Sequence, residues 1–404
     1  LGVPSLLTTL LILMIGLLIA RLVAGRLARW AVPAIVLELL IGFALGNTVL
    51  PFASIAPLSG ITELGVLTLF FQVGMEVRTD LLTARAFTIL RLVALSCLTP
   101  LLAFWPLSHG FAMAAPKAWL CLAVLSATGT GVTLRLLSQR SALRTPSGRL
   151  LVAVSVLDDL PAIGLLSLAM ATGGSSLARG GQPGAALILG LIAAAGSYWF
   201  SGWWGRHRPA QKLDALTVLI LLIGSAWLGE TSGFTSLLGA LWGGFLLTRL
   251  APLNGEINQV LGLLSEVFLP LYFIGVGMRL SAETLLQPKA WLLALVLVAL
   301  GLISKLICGL GVSGGDRAEG IDRQLVIFGL IPRGLPGLVF ATTALGAGMI
   351  NGVEFSALVL MVTVTTVLGL LLLDRRLMQL NRLGQNPNKK PPTNVEGEIT
   401  TIPN

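Results

Sequence analysis

Residues 150–170 read LLVAVSVLDDLPAIGLLSLAM, an apolar run of about membrane-spanning length with two adjacent acids near its middle. A carboxylate at that depth costs several kcal/mol unless it is protonated, paired or hydrated. Asp158 and Asp159 also raise each other's proton affinity, because two like charges resist forming side by side. The pair is therefore placed to exchange protons and to hold a small cation. Pro161 follows two residues later, and its ring denies the Leu157 carbonyl a helical hydrogen bond. This predicts a bent or opened helix beside the acids. The competing reading is an acid pair satisfied by its neighbours for packing alone.

The rest of the chain fits a membrane setting. It is 55% hydrophobic and 11% charged, with mean hydropathy +0.89, outside the usual range of soluble domains. The 47 glycines and 20 prolines suit closely packed, interrupted helices. A β-barrel is disfavoured because the apolar runs are continuous rather than alternating. Cys97, Cys121 and Cys308 lie in apolar runs and suggest no disulfide framework. The two histidines, His109 and His207, read as loop residues and offer neither a His-based metal site nor a triad. No phosphate loop or nucleophile–base pairing stands out, so no enzyme activity, cofactor or nucleic-acid partner is expected. The first span is apolar from its start, without a basic leader, and reads as a mature first helix.

Thirteen spans are predicted, at about 6–22, 32–50, 61–77, 87–105, 119–137, 150–170, 185–203, 213–228, 236–250, 265–280, 291–311, 325–345 and 355–373. From residue 384 to 404 the chain is rich in Pro, Asn, Lys and Glu and reads as a disordered tail. A weak internal repeat relates the two halves. Gly74-Met75-Glu76 returns as Gly277-Met278-Arg279, and the same offset carries Gly129-Thr130-Gly131 onto Pro332-Arg333-Gly334. Those are the two most interrupted spans. Spans one to six then repeat as eight to thirteen, with span seven as connector. An odd number of crossings separates the partners, so the six-helix repeats are inverted. The expected fold is all-α and polytopic, with two crossed discontinuous helices near the midplane.

Charge supports the span count. With the N-terminus outside and the C-terminus inside, only Lys117, Arg179, Arg279 and Lys289 of the 27 Lys and Arg fall outside, and Lys305 and Arg333 lie within spans. The remainder are cytoplasmic, as the positive-inside rule requires.

The polar groups inside the spans define the candidate site. Lys305 is too central to reach the interface and needs a carboxylate partner, for which Asp158 or Asp159 is available. The alternative role is a salt bridge that only locks the halves together. Ser126, Thr128, Thr130 and Thr133 accompany Gly129 and Gly131, where hydroxyls and freed carbonyls offer neutral oxygens to a dehydrated cation. Small-residue helix packing is the alternative. Ser155, four residues before Asp159, is either a further ligand or bonded back to its own helix. Arg333 sits at the second break, to satisfy open carbonyls or offset an acid. Glu38 and Glu76 are expected near span ends or helix crossings.

These features together resemble the bacterial monovalent cation:proton antiporter-2 (CPA2) family, in its sodium/proton type with paired aspartates, over nearly the whole chain to about Arg382. PAIVLELLIGFALGN in the second span is similar to that family's PxxxGExxxGxxLGP stretch, with Leu37 in place of the usual Gly and Asn47 in place of the final Gly. Leu64-Gly65 and Phe71–Glu76 are similar to its LGxxxLxFxxGLE segment. Asp158-Asp159 and Lys305 match its acid pair and buried lysine.

The resemblance implies that Asp159 is the main Na+ carboxylate and Asp158 the partner of Lys305 and second proton site. It implies electrogenic Na+ (or Li+)/H+ antiport by alternating access, in a homodimer in the bacterial inner membrane, or alternatively an internal membrane. Residues 1–383 would form the transporter. Its dimer side would comprise about 1–80 and 213–282, its ion-carrying core about 85–171 and 289–375, and its linker helix about 185–204. Some relatives carry a nucleotide-binding domain after the last span. The sequence stops before one, so gating of that kind is not expected. K+/H+ exchange on the same scaffold and Na+-coupled uptake of an organic solute are the rival functions, and a non-transporting membrane sensor is a third.

Overall fold

The computed structural model describes residues 6–27, 33–55, 58–76, 85–143, 145–173, 183–207, 214–232, 236–250 and 255–384. All thirteen predicted spans are helical there. They are α1 (Leu6–Leu27), α2 (Ala34–Thr48), α3 (Ser59–Glu76), α4 (Ala86–Leu101), the half-helices α5 (Ala115–Ser126) and α6 (Thr130–Gln139), and α7 (Pro146–Thr172). Then come α8 (Pro183–His207), α9 (Ala215–Thr231), α10 (Ser236–Leu250), α11 (Gly255–Met278), α12 (Pro288–Cys308), the half-helices α13 (Arg323–Leu330) and α14 (Gly334–Gly346), and α15 (Gly352–Gly384). The fold is an all-α polytopic membrane bundle. Among the described residues, Leu7–Arg26, Ala86–Gly110, Ile257–Met278, Pro288–Gly311 and Gly352–Arg382 are long and apolar enough to cross alone. Shorter apolar helices, two of them in halves, supply further spans.

Side-chain caps set several helix starts. Thr145 accepts from the Gly148 amide at 3.0 Å, with Pro146 opening α7. Asp322 accepts from the Leu325 amide at 2.7 Å and starts α13. Ser313 and Asp316 form a reciprocal capping box in the short helix between α12 and α13.

Three expectations need correction. Pro161 does not open α7, which continues to Thr172, because a transmembrane helix with packed neighbours tolerates one missing bond. α11 begins at Gly255, ten residues before the predicted start, and α15 runs to Gly384 rather than ending at Leu373. In both, polar residues extend a helix beyond its apolar stretch, where hydropathy carries no signal. His207 is the last residue of α8, and His109 lies in a π turn at Pro106–Gly110, so neither is in an open loop. Residues 385–404 of the expected tail lie outside the described residues.

The element order repeats across the chain. α1 to α7 and α9 to α15 run in the same sequence, and in each set the fifth element is broken in two. In the first packed group α3 lies against α10 and α11, with α2 against α11. In the second α5 lies against α7, and α12 against α4 and α15. Close approach between α3 and α10 depends on glycine, since a Cβ at Gly74 or Gly244 would collide with the Leu241 or Phe71 carbonyl. At one end of the second group, ion pairs join Arg91 to Asp316 at 2.8 Å, Arg140 to Asp374 at 2.7 Å and Arg376 to Asp322 at 2.5 Å. Lys117 pairs with Glu354 at 2.8 Å, at the α5 and α15 starts.

The two breaks touch. α5 ends at Ser126, and Ala127 turns to extended backbone with φ −54° and ψ 146°. In the second break Pro332 lacks an amide hydrogen, and Gly334 takes a positive φ of 48° that disfavours any side chain. The Gly129 amide donates to the Pro332 carbonyl at 2.5 Å, and a Cβ on Gly129 would lie 3.0 Å from the Gly334 nitrogen. Gly129 and Pro332, which the internal repeat pairs, are thus in contact.

Candidate functional site

A helix broken inside a membrane exposes carbonyls that no water in the lipid core can satisfy. Here side chains take them up. Lys305 Nζ donates to the Ser126 carbonyl at 3.1 Å, and Arg333 Nη1 to the Ala127 carbonyl at 3.1 Å. Thr133 Oγ1 donates to the Gly329 carbonyl at 3.1 Å, across to the other broken helix. Arg333 Nη2 also reaches the Gly301 carbonyl on α12 at 2.9 Å. On the far side of Arg333, the Gly334 amide donates to Thr366 Oγ1 on α15 at 3.0 Å.

Asp158 stands beside this crossing. Its Oδ2 receives Lys305 Nζ at 2.8 Å, Ser96 Oγ at 2.7 Å and Thr128 Oγ1 at 2.6 Å. Lys305 also donates to Thr128 Oγ1 at 3.2 Å and to Ser96 Oγ. Lys305, Asp158, Ser96, Thr128 and Arg333 are all completely buried, at 0% exposure. A buried ion pair persists only with good geometry and further hydrogen bonds, and this pair has both. The carboxylate is engaged unevenly: Oδ2 takes three donors, while buried Oδ1 has no hydrogen-bond partner among the described residues. An oxygen left open in a saturated setting can accept a proton or a cation without first breaking a bond.

Asp158 meets Lys305. The side chain of Asp159 lies outside the described residues, as does that of Glu76. Thr130 Oγ1 donates to the Ser155 carbonyl at 3.2 Å, tying α6 to α7. Two of the expected neutral ligands donate their hydroxyl hydrogens within their own helices. Ser126 Oγ bonds the Ala123 carbonyl and Ser155 Oγ the Val152 carbonyl, each at 3.1 Å within its own helix. Ser126 reaches the site through its backbone carbonyl instead. Among the described residues Arg333 hydrogen-bonds carbonyls and Ser304 Oγ. Glu38 is buried in the first turns of α2. Ser96 escaped sequence reasoning: a single hydroxyl in LVALSCLTPL gives no periodic signal, and only the packing of α4 against α7 and α12 brings it to the pair. Ser304 was missed for the same reason; its Oγ bonds the Gly301 carbonyl at 2.9 Å beneath Arg333.

Comparison with known proteins gives a consistent picture. The family described as sodium/hydrogen exchanger, transmembrane, matches residues 10–374. The Na+/H+-K+ antiporter GerN of Bacillus cereus is 24% identical over 366 residues, covering 87% of this chain and 92% of its own length. A Na+/H+ antiporter of Enterococcus hirae is 25% identical over 380 residues, covering 89% of this chain and 97% of its own. Among solved structures, the sodium proton antiporter MjNhaP1 of Methanocaldococcus jannaschii matches with a TM-score of 0.65 at 18% identity. The match covers 94% of this chain and 99% of that one. The likeness extends over whole folds, not one segment.

Proposed function

The chain belongs to the transmembrane sodium/hydrogen exchanger family, and we propose that within it the protein is an electrogenic Na+ (or Li+)/H+ antiporter working by alternating access. It is a secondary transporter, not an enzyme. The observation that carries the finer reading is the fully buried Asp158–Lys305 pair at the crossing of two broken helices.

In this reading Asp159 is the main cation carboxylate, and Asp158 is both the lysine's partner and the second proton site. Protons and Na+ compete for the acids. When protons are scarce the carboxylates are free and Na+ binds, drawing Asp158 away from Lys305. Lys305 then releases its own proton, because an unpaired ammonium is costly in a dry interior. With Asp158 already ionised in its pair, one proton leaves Asp159 and one leaves Lys305, so two protons move for each Na+ and the exchange carries charge and responds to voltage. Neutral oxygens come from Thr128 and Thr130 and from the freed carbonyls. The core, about 85–171 and 289–375, moves against a dimer-forming scaffold of about 1–80 and 213–282. The Tyr272–Thr342 hydrogen bond, between α11 and α14, joins the two and breaks in that motion. The setting is the bacterial inner membrane, with the N-terminus outside and the C-terminus cytoplasmic.

K+/H+ exchange on the same scaffold is the second reading. It is favoured by the names of two relatives, GerN and a putative K+ efflux antiporter KefB of Alkalimonas amylolytica. One experiment separates the two. Proteoliposomes with an acidic interior and a pH dye receive Na+, Li+ or K+, with the membrane potential clamped at zero or made inside-negative. Dequenching by Na+ and Li+ that changes with potential, and is lost in Asp159→Asn, is the expected result. A response to K+ alone favours the second reading, and silence to every cation overturns both.

A further inference from the structure

A cavity lies on the seam between the two packed groups, at the end of the bundle where α3 starts and α11 finishes. It is lined by Thr62 and Glu63 of α3, Tyr272 of α11, Arg279 just past its end, Phe52 in the turn after α2, and Thr342 of α14, with apolar side chains between them. Two opposite charges face this cavity without meeting. Among the described residues Glu63 takes no hydrogen bond and no ion pair, and it is exposed. Arg279 is held instead with its guanidinium carbon 4.2 Å from the centre of the Phe52 ring. Glu230, at the exposed end of α9, adds a second negative charge that acts on Glu63.

The cavity also has depth. Tyr272 precedes Arg279 by seven residues, so it lies about 10 Å further into the bundle at 1.5 Å per residue. There its hydroxyl meets Thr342 Oγ1 across the seam. Thr342 in turn stands eight residues along α14 from Gly334, about 12 Å from the crossing of the breaks. The cavity thus begins at exposed Glu63 and ends at the hydrogen bond that closes the seam above the crossing.

We infer that this cavity is the outer vestibule of the cation path, in which Glu63 draws the hydrated cation in and Arg279 keeps it from lodging there. This rests on the antiport reading and the orientation given above. A carboxylate at a mouth with low-dielectric walls raises the local concentration of cations. An acid alone would also retain them, and a path must bind weakly enough to let its ion leave. Arg279 supplies that opposing charge. Its stacking on Phe52 keeps it from closing onto Glu63 and cancelling the attraction. When the Tyr272–Thr342 bond breaks, the vestibule joins the crossing.

The test compares right-side-out membrane vesicles, which present this end of the protein to added Na+, with everted vesicles, which present the other. Full-length protein is used, and Na+-driven proton movement is recorded. An exposed charge acting on a nearby cation is worth about two- to fivefold. Glu63→Gln is expected to lower the rate at low Na+ about two- to fivefold in right-side-out vesicles, with the saturating rate kept and everted vesicles unaffected. Added inert salt should shrink that difference by screening. Glu63→Asp, which keeps the charge, should restore the rate. Arg279→Gln should leave the rate at low Na+ undiminished and lower the saturating rate, because the cation leaves more slowly. Should Glu63→Gln fail to insert, Glu230→Gln is expected to give a smaller change of the same sign. Equal losses in both vesicle types overturn the inference, because they report a damaged fold rather than an outer path. So does an unchanged rate at low Na+ in right-side-out vesicles. A silent wild type is instead a failure of the antiport reading.

Discussion

Lys305 Nζ lies 2.8 Å from Asp158 Oδ2, and neither side chain has any exposure to solvent. The two residues come from different halves of the chain, 147 positions apart. Removing one partner leaves a buried charge without compensation, which costs about 3–5 kcal/mol. Lys305→Met and Asp158→Leu are each expected to lower the thermal unfolding midpoint of purified protein strongly. The double variant is expected to recover most of that loss, since replacing a whole buried pair is close to neutral. Unfolding by intrinsic tryptophan fluorescence measures this. Additive losses in the double variant would mean the two residues do not depend on one another.

Arg333 satisfies carbonyls of two separate elements, Ala127 at the first break and Gly301 on α12. Lysine has one compact ammonium in place of a planar fork and cannot span both. Arg333→Lys should therefore destabilise by about 1.5–3 kcal/mol, the range for a lost charged hydrogen bond. Equal stability of wild type and Arg333→Lys would show that the fork is not needed.

Gly334 combines a positive φ of 48° with contact against Gly129, and the Cβ of any substituent would lie 2.9 Å from Gly129 Cα. Gly334→Ala is expected to push the crossing apart and reduce transport severely. Gly346→Ala, in the same half-helix with open space around it, should be tolerated. Transport rates of the two in parallel decide the matter.

Outside the spans, acid sensitivity should reside in Asp316 and Asp322. Burial opposes the charge on Asp316, but hydrogen bonds from Ser313 and Thr88 and the nearby Arg91 outweigh it and hold the carboxyl below its usual range. For Asp322 burial is likewise outweighed, by Arg376 and the Leu325 amide. A carboxyl lowered on folding contributes stability above its unfolded value of about 3.9, and that contribution is lost as pH falls through the folded value. The unfolding midpoint is thus expected to hold steady from about pH 7 to 5 and to drop below about pH 4. In Asp322→Asn that acid-side drop should be smaller. An unchanged drop would place the sensitivity elsewhere.

Much of this was legible in the sequence because a membrane imposes simple rules. Apolar length marked the helices, and matched Gly/Pro interruptions marked both breaks down to the touching residues Gly129 and Pro332. The deep lysine announced that it needed an acid. Other features had no local trace. That Asp158 meets Lys305 depends on how α7 is rotated against α12. Ser96 belongs to the site only through tertiary packing. The hydroxyls of Ser126 and Ser155 turned back to their own helices, a choice set by backbone geometry one turn away. Pro161 leaves α7 unbroken because its missing bond is absorbed within a packed helix.

The central claim is competition between protons and Na+ for buried carboxylates, and the most direct measurement is the Na+ dependence of transport at several pH values. Transient currents on a solid-supported membrane give half-saturating Na+ and the plateau at each pH. The account predicts that half-saturating Na+ rises steeply as the pH falls, by about tenfold per unit where one proton competes and up to about a hundredfold where both do, with a constant plateau. A half-saturating Na+ that does not change with pH would contradict it.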